Sequence, residues 1–173
     1  MTIITYKNGK AASDDLLWVD DVIIGRCQKI FHRPRDGAIV SSVGDAAAGD
    51  AFITLALKSR KNLAVQGLDS MDDGTSGILF HESGTVELWS RLKNRVLINC
   101  DFYAIGSGSE MALGLMAAGS SASEAAIQVC RYRGWPAVVT ELDHDGGHNV
   151  FAVNQLTPAH YEHAPLEYKP HRN

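Results

Sequence analysis

The chain opens with a β-hairpin signal, and this feature constrains the fold more than any other part of the sequence. Asn8-Gly9 is the residue pair favoured by a two-residue hairpin turn, because both positions of that turn need a positive φ angle. Residues 2–6 before it are β-rich, and residues 10–13 after it form the returning strand. We therefore predict an opening pair of antiparallel strands that leads to Ser13 and Asp14.

Strand and helix signals then follow in separate runs. Further strands are predicted at residues 22–24, 29–32, 38–43, 78–81, 86–89, 102–105, 137–142 and 149–153. Helices are predicted at residues 45–61, 111–118 and 122–133, the last of them beginning with the capping-box pair Ser121 and Glu124. Hairpins with segregated helices predict an α+β fold of two antiparallel sheets covered by helices, not a βαβ succession. No repeat or linker divides the chain, so residues 1–173 are predicted to form one domain.

Composition excludes several classes of protein. The 173 residues are 45% hydrophobic and 21% charged, which is typical of a globular domain. A net charge of −4 offers no basic surface for nucleic acid, and no apolar stretch reaches the length of a membrane span. Cys27, Cys100 and Cys130 are odd in number and scattered, so neither a disulfide framework nor a zinc site is predicted. With no signal-peptide pattern at the start, these features favour the reducing cytoplasm.

Taken together, the landmarks resemble those of proteasome β-type subunits and bacterial HslV, the N-terminal-threonine peptidases of the Ntn-hydrolase superfamily. The similarity runs in order from Thr2 to about Gly147. It is carried by residues 2–6, Asn8-Gly9, Ser13-Asp14, Lys29-Ile30-Phe31, Ser42-Val43-Gly44-Asp45-Ala46 and the run from Tyr103 to Ser109. The resemblance implies a four-layer αββα sandwich, in which two antiparallel sheets lie between layers of helices.

The resemblance also implies a catalytic role for particular residues. Thr2 matches the nucleophile, whose hydroxyl attacks a peptide carbonyl while its own α-amine, freed by removal of Met1, accepts the proton. Asp14 and Lys29 match a charged pair beside the threonine, and the lysine lowers the pKa of the amine. Ser107 matches a serine near the amine. The backbone N–H of Ser41 falls where the family has a glycine that stabilises the oxyanion.

Two positions depart from the family pattern. Thr2 and Asp14 are closer together in sequence than in the family, which leaves Asp15 as an alternative to Asp14. Near the last turn the family has an aspartate and a serine before Gly-Gly, where this chain has Leu142 and Asp145. Asp143 or Asp145 is therefore a candidate to support the amine. The same turn holds His144 and His148, but their spacing does not fit a zinc site, so no metal is predicted.

The predicted function is that of a self-compartmentalising threonine endopeptidase that cleaves unfolded polypeptides and needs no cofactor. The resemblance implies a homo-oligomeric ring or stack of rings, with an unfoldase ATPase as a further partner. Any use of ATP would belong to that partner, because the chain has no Gly-Lys-Ser/Thr phosphate-binding motif. Two alternatives stay open: a catalytically silent assembly protein, if Met1 is retained, and an Ntn amidohydrolase that acts on a small amide.

Overall fold

The computed structural model of the protein describes residues 1–58, 74–90 and 95–153. The strands in this part of the chain are β1 (Ile3–Lys7), β2 (Lys10–Asp14), β3 (Leu16–Val19), β4 (Val22–Arg26), β5 (Ile30–His32), β6 (Ile39–Val43), β7 (Ser76–Phe80), β8 (Thr85–Trp89), β9 (Arg95–Asn99), β10 (Phe102–Gly106), β11 (Val138–Asp143) and β12 (His148–Ala152). The helices are α1 (Ala46–Lys58), α2 (Ser109–Ala117) and α3 (Ala122–Tyr132). The protein is thus a mixed α/β molecule with antiparallel sheets.

The opening hairpin is confirmed. Asn8 and Gly9 have φ angles of 51° and 76°, which are the positive values that the tight turn demands. Lys7 pairs with Lys10, and Tyr6 pairs with Ala11. The hairpin thereby fixes the register that brings the start of β1 next to the end of β2.

The strands form two five-stranded sheets and one separate two-stranded ribbon. The first sheet has the order β10-β1-β2-β11-β12, and the second has the order β5-β6-β7-β8-β9. The ribbon consists of β3 and β4. Every pairing within these sheets is antiparallel. β3 and β9 were not predicted from the sequence, whereas the other ten strands lie close to their predicted positions.

Three clusters of buried side chains connect these elements. The first joins the first sheet to α2 and α3 through residues such as Ile3, Val129 and Val139. The second contains residues of both five-stranded sheets, among them Tyr6 and Phe80, whose rings stack with centroids 4.7 Å apart. The third joins the second sheet to α1. Burial of these apolar side chains holds the elements that carry the candidate site in place.

The helices follow their sequence signals closely. The predicted capping box of α3 is confirmed, because the Ser121 hydroxyl accepts the backbone N–H of Glu124 while the Glu124 carboxylate accepts that of Ser121. In the described chain α1 extends to Lys58, and the predicted residues 59–61 lie outside the described residues. None of the described helices is long and apolar enough to cross a membrane.

Candidate active site

Asp14 is a buried carboxylate with three donors around it. It is the last residue of β2, and 1% of its surface is exposed. Its Oδ2 accepts the backbone N–H of Ile3 at 2.7 Å, and its Oδ1 accepts that of Leu16 at 2.9 Å and the ammonium of Lys29 at 2.7 Å. The hairpin register supplies the first of these contacts, since it places the start of β1 beside the end of β2.

Lys29 connects this carboxylate to Thr2. Its Nζ donates to the Thr2 Oγ1 at 2.9 Å as well as to Asp14, and its side chain is only 8% exposed. The Ser41 hydroxyl donates to the backbone carbonyl of Lys29 at 2.6 Å and fixes the chain just before β5. A lysine is rarely buried without an opposite charge. The predicted trio of Thr2, Asp14 and Lys29 is therefore brought together in one place.

Thr2 is held by its backbone at the end of β10. The Ser107 N–H donates to the Thr2 carbonyl at 2.6 Å. Gly106 precedes it with a φ of +97°, and a Cβ there would collide with the Thr2 carbonyl oxygen. Ser107 thus lies beside Thr2, and the contact that the structure records is made by its backbone N–H.

A cavity of about 440 Å³ opens over Thr2. Its lining consists of Met1, Thr2, Val43, Gly44, Gly74, Gly106 and Ser107. Gly44 has a φ of +111°, and a Cβ at this position would clash with the backbone of Gly74 and Thr75. A glycine is thus required at Gly44, and its lack of a side chain keeps this wall of the cavity open. The sequence pattern drew attention to Ser-Val-Gly-Asp but not to the role of this glycine.

Ser41, the predicted oxyanion donor, does not line this cavity. It is fully buried in β6, between its partners Ile30 in β5 and Ile78 in β7. In a central antiparallel strand, each backbone N–H is used by the hydrogen-bond ladder with one of the two neighbours. The Ser41 N–H is therefore not available to an oxyanion. Val43 and Gly44 are the residues of this segment that reach the cavity.

Asp143 and Asp145 lie at the wrong end of the first sheet to support the Thr2 amine. Val139 is the partner of Asp14, whereas Asp143 is the partner of Lys10 beside the hairpin turn. A strand rise of about 3.3 Å per residue puts positions 139 and 143 roughly 13 Å apart. The Asp143 carboxylate instead accepts the N–H groups of Asp145 and Gly147 and closes its own turn.

Asp15, the alternative to Asp14, has a different set of partners. Its carboxylate binds Arg26 at 2.6 Å and accepts the Val138 N–H at 2.8 Å. Arg26 in turn donates to the Pro136 carbonyl at 2.7 Å. Asp15 therefore fastens the base of the ribbon to β11, and Asp14 is the carboxylate that contacts Lys29.

The electrostatics at the start of the chain favour a neutral amine. Burial lowers the pKa of the Met1 α-amine from its ordinary value of 8.0, and the positive charge of Lys29 lowers it further. Asp14 and Asp21 act in the opposite direction. The net effect depresses the pKa, because losing hydration and facing an ammonium both disfavour the protonated form.

Comparison with known proteins supports the fold alone. No protein-family profile matches the chain, and no curated protein matches its sequence. Among solved structures, the chain is similar to the eukaryotic HslV of Trypanosoma brucei, with a TM-score of 0.52 and 16% sequence identity. The match covers 76% of this chain and 88% of that one. The protein thus has an HslV-like, proteasome-like fold, which by itself does not establish an activity.

Proposed function

We propose that this protein is an N-terminal-threonine endopeptidase of the Ntn-hydrolase type, with Thr2 as its nucleophile once Met1 is removed. The observation that carries the proposal is the pair of hydrogen bonds from Lys29 Nζ, 2.9 Å to the Thr2 hydroxyl and 2.7 Å to the Asp14 carboxylate, at the floor of an open cavity. A buried ammonium is costly unless an opposite charge compensates it, and Asp14 supplies that charge. The Thr2 hydroxyl is a second acceptor of the same ammonium, and this is the contact that the proposed chemistry uses.

The chemistry needs only groups of Thr2 and its neighbours. The Thr2 Oγ1 adds to a peptide carbonyl, and its proton passes to the free Thr2 amine, directly or through a water molecule. Lys29 lowers the pKa of that amine by its charge and stabilises the hydroxyl oxygen as it loses its proton. The protonated amine then gives the proton to the departing peptide amine as the C–N bond breaks. Water hydrolyses the resulting ester and regenerates Thr2.

The backbone at the edge of the cavity is suited to hold the oxyanion. We assign this role to the N–H of Gly44 in place of Ser41, because Gly44 lines the cavity and Ser41 is buried. The Ser107 N–H is already used by the Thr2 carbonyl, so it positions the nucleophile. The hydroxyl of Ser107 is the proposed partner of the freed amine.

The proposal extends to architecture and assembly. The three buried clusters support a four-layer αββα sandwich within a single domain of residues 1–173. Cytoplasmic copies of the chain would form a ring or stacked rings that enclose the cavities, so that only unfolded polypeptides reach Thr2. An unfoldase ATPase would deliver such substrates, and no cofactor would be needed.

The silent-scaffold alternative is supported by one specific observation. Met1 lines the cavity, and while it remains the Thr2 nitrogen is an amide that cannot accept a proton. A protein that retains Met1 would assemble without catalysis. The fate of Met1 therefore decides between the two functions.

The deciding experiment is the intact mass of the purified protein before and after incubation with a peptide epoxyketone. This reagent reacts with the hydroxyl and the free amine of one terminal residue. We expect loss of Met1 and one adduct per chain, absent in Thr2→Ala and present in Thr5→Ser, a matched change of a buried threonine that contacts Ala122 and not the cavity. Retained Met1 without an adduct would support the scaffold. Loss of Met1 without an adduct, together with turnover of small amides but not of unfolded protein, would support an amidohydrolase.

A further inference from the structure

The ribbon formed by β3 and β4 exposes several large aliphatic side chains. Val19, Val22 and Ile24 are 53%, 64% and 57% exposed. Antiparallel strands that face water normally carry polar residues on the exposed face. The ribbon instead presents large aliphatic side chains, with Asp20 and Asp21 at its tip.

Only one face of the ribbon has a partner within the described residues. Leu16 and Trp18 pack into the first buried cluster, where the Trp18 ring lies 5.7 Å from that of Trp135. Val19 and Val22 are the pair next to the turn, and side chains alternate between faces along a strand, so this pair points away from Trp18. A two-stranded ribbon is only marginally stable alone in water. Within the described residues, its outer face therefore lacks the packing partner that such a ribbon needs for stability.

A second exposed surface lies at the end of α3 and has the opposite charge. Arg131, Tyr132 and Arg133 are all exposed, and Tyr132 is 78% exposed. None of the three has an ion pair with another described residue. Exposed tyrosine flanked by arginine is the composition enriched at protein–protein interfaces. The ribbon of the same chain does not cover this surface, since Tyr132 would then be buried.

We propose that these two surfaces bind each other between copies of this chain. The aliphatic face of the ribbon in one copy packs on Tyr132 of the next, and Asp20 and Asp21 pair with Arg131 and Arg133. The charge signs are complementary, and the tyrosine ring supplies a broad apolar contact for the valines. Contact between unlike surfaces of identical chains generates rings or filaments when each copy uses its two surfaces on two different neighbours. This inference deepens the proposed assembly and rests on it.

Such a contact would also stiffen the candidate site. The ribbon begins two residues after Asp14, and its base is tied to the start of β11 through Asp15, Arg26 and Pro136. Covering the ribbon therefore restrains the segment on either side of the Asp14 carboxylate. In an isolated copy, the same site residues would be held next to a less ordered ribbon.

Cross-linking tests the contact itself. In a Cys27→Ser/Cys100→Ser background, differently tagged Val22→Cys and Tyr132→Cys chains are co-expressed and treated with a short bifunctional maleimide. We expect a mixed dimer that carries both tags, and none when Val150→Cys, on the exposed edge strand β12, replaces Val22→Cys. Products joined through Val22→Cys alone, a mixed product with Val150→Cys, or a monomer with no product would overturn the proposal.

Charge exchange provides an independent test. We expect Arg131→Glu/Arg133→Glu to weaken self-association at least tenfold by sedimentation or light scattering, and co-expression with Asp20→Lys/Asp21→Lys chains to restore it. Circular dichroism verifies that each variant folds. Unchanged association, or a loss that the second variant does not restore, would overturn the contact. All measurements are repeated in Thr2→Ala chains, which assemble without a nucleophile at position 2. A failure of assembly is therefore distinguished from a failure of the peptidase proposal.

Discussion

The ammonium of Lys29 lies 2.7 Å from the carboxylate of Asp14, and both side chains are almost completely buried. The pair is made by residues from different parts of the fold, because Asp14 ends a strand of the first sheet and Lys29 precedes the first strand of the second. Each partner needs the other, since an uncompensated buried charge is strongly unfavourable. The same contact thus links the two sheets and directs the ammonium at Thr2.

Lys29→Met is expected to abolish epoxyketone labelling and to lower the free energy of unfolding by about 3–5 kcal/mol, because it leaves Asp14 buried without its counter-charge. Urea denaturation followed by circular dichroism measures the second effect. The matched control is Arg35→Met, whose side chain is 40% exposed in its pair with Asp36, which is itself 43% exposed. That control should cost less than about 1 kcal/mol and leave labelling intact.

A double substitution separates stability from catalysis at this pair. Asp14→Asn/Lys29→Met removes both charges, so its loss of unfolding free energy should be clearly smaller than the sum of the two single losses. Labelling of Thr2 should nevertheless remain absent, because the ammonium is gone. Recovery of labelling together with stability would show that Lys29 has only a structural role.

Asp143→Ala and Asp145→Ala are expected to leave labelling of Thr2 within about twofold of the unmodified protein, since both carboxylates belong to the turn at the far end of β11. Asp143→Ala should still lower the unfolding free energy by about 1–2 kcal/mol, because it removes the acceptor for two backbone N–H groups. A strong loss of labelling in either variant, with the fold intact, would show that the substituted carboxylate does support the Thr2 amine.

Most of the strands and helices were predictable because their signals are local. The Asn8-Gly9 turn and the Ser121–Glu124 capping box each act within a few residues, and both were predicted from the sequence alone. β3 and β9 were missed for a physical reason. β9 is largely exposed and β3 is partly buried, and the apolar residues of both strands show no clean alternation with polar positions that would indicate a half-buried strand.

Site residues were predictable where the resemblance supplied their spacing in the sequence. They were not predictable where their position depends on which distant strands pair and in which register. Thr2, Asp14, Lys29 and Ser107 do come together, although their catalytic roles remain proposals. Ser41 and Asp143 did not come to the cavity, since their distance from Thr2 depends on which strands pair and in which register. That information is absent from local sequence patterns.

Cys130 should resist alkylation in the folded protein. It lies within α3 and is fully buried, and this burial, together with the charge of Asp14, raises the pKa of its thiol to about 12. Compared with an ordinary thiol, its reactive thiolate is depleted by on the order of a thousandfold at neutral pH. Iodoacetamide labelling followed by peptide mass mapping should modify Cys130 only in urea. Rapid labelling of Cys130 in the native protein, at the rate of a model peptide, would contradict this burial.

Substitutions at Ser41 and Gly44 test which backbone segment holds the oxyanion. Ser41→Ala removes the hydroxyl that holds the Lys29 carbonyl, so we expect a loss of about 1 kcal/mol in unfolding free energy with most labelling retained. Gly44→Ala adds a Cβ where φ is +111° and the Gly74–Thr75 backbone is in contact. Turnover of a fluorogenic peptide should fall at least tenfold in Gly44→Ala, with a smaller effect on KM than on kcat. Ser41→Ala keeps its backbone N–H, so it reports only on the hydroxyl. An unchanged kcat in Gly44→Ala, with the fold intact, would contradict the oxyanion role of Gly44.

The pH dependence of labelling tests the amine as the base. The pKa of the Met1 amine is lowered from 8.0 by burial and by Lys29, and after Met1 is removed the Thr2 amine lies one residue closer to that ammonium. Only the neutral amine accepts the hydroxyl proton, so the rate of epoxyketone labelling should rise with pH and level off above a midpoint below 8.0. A synthetic peptide that begins Thr-Ile-Ile-Thr, with its amine in water, provides the reference titration near the ordinary value. A midpoint for the protein equal to or above that of the peptide would mean that Lys29 does not lower the pKa of the amine, and the ammonium would then act on the hydroxyl alone.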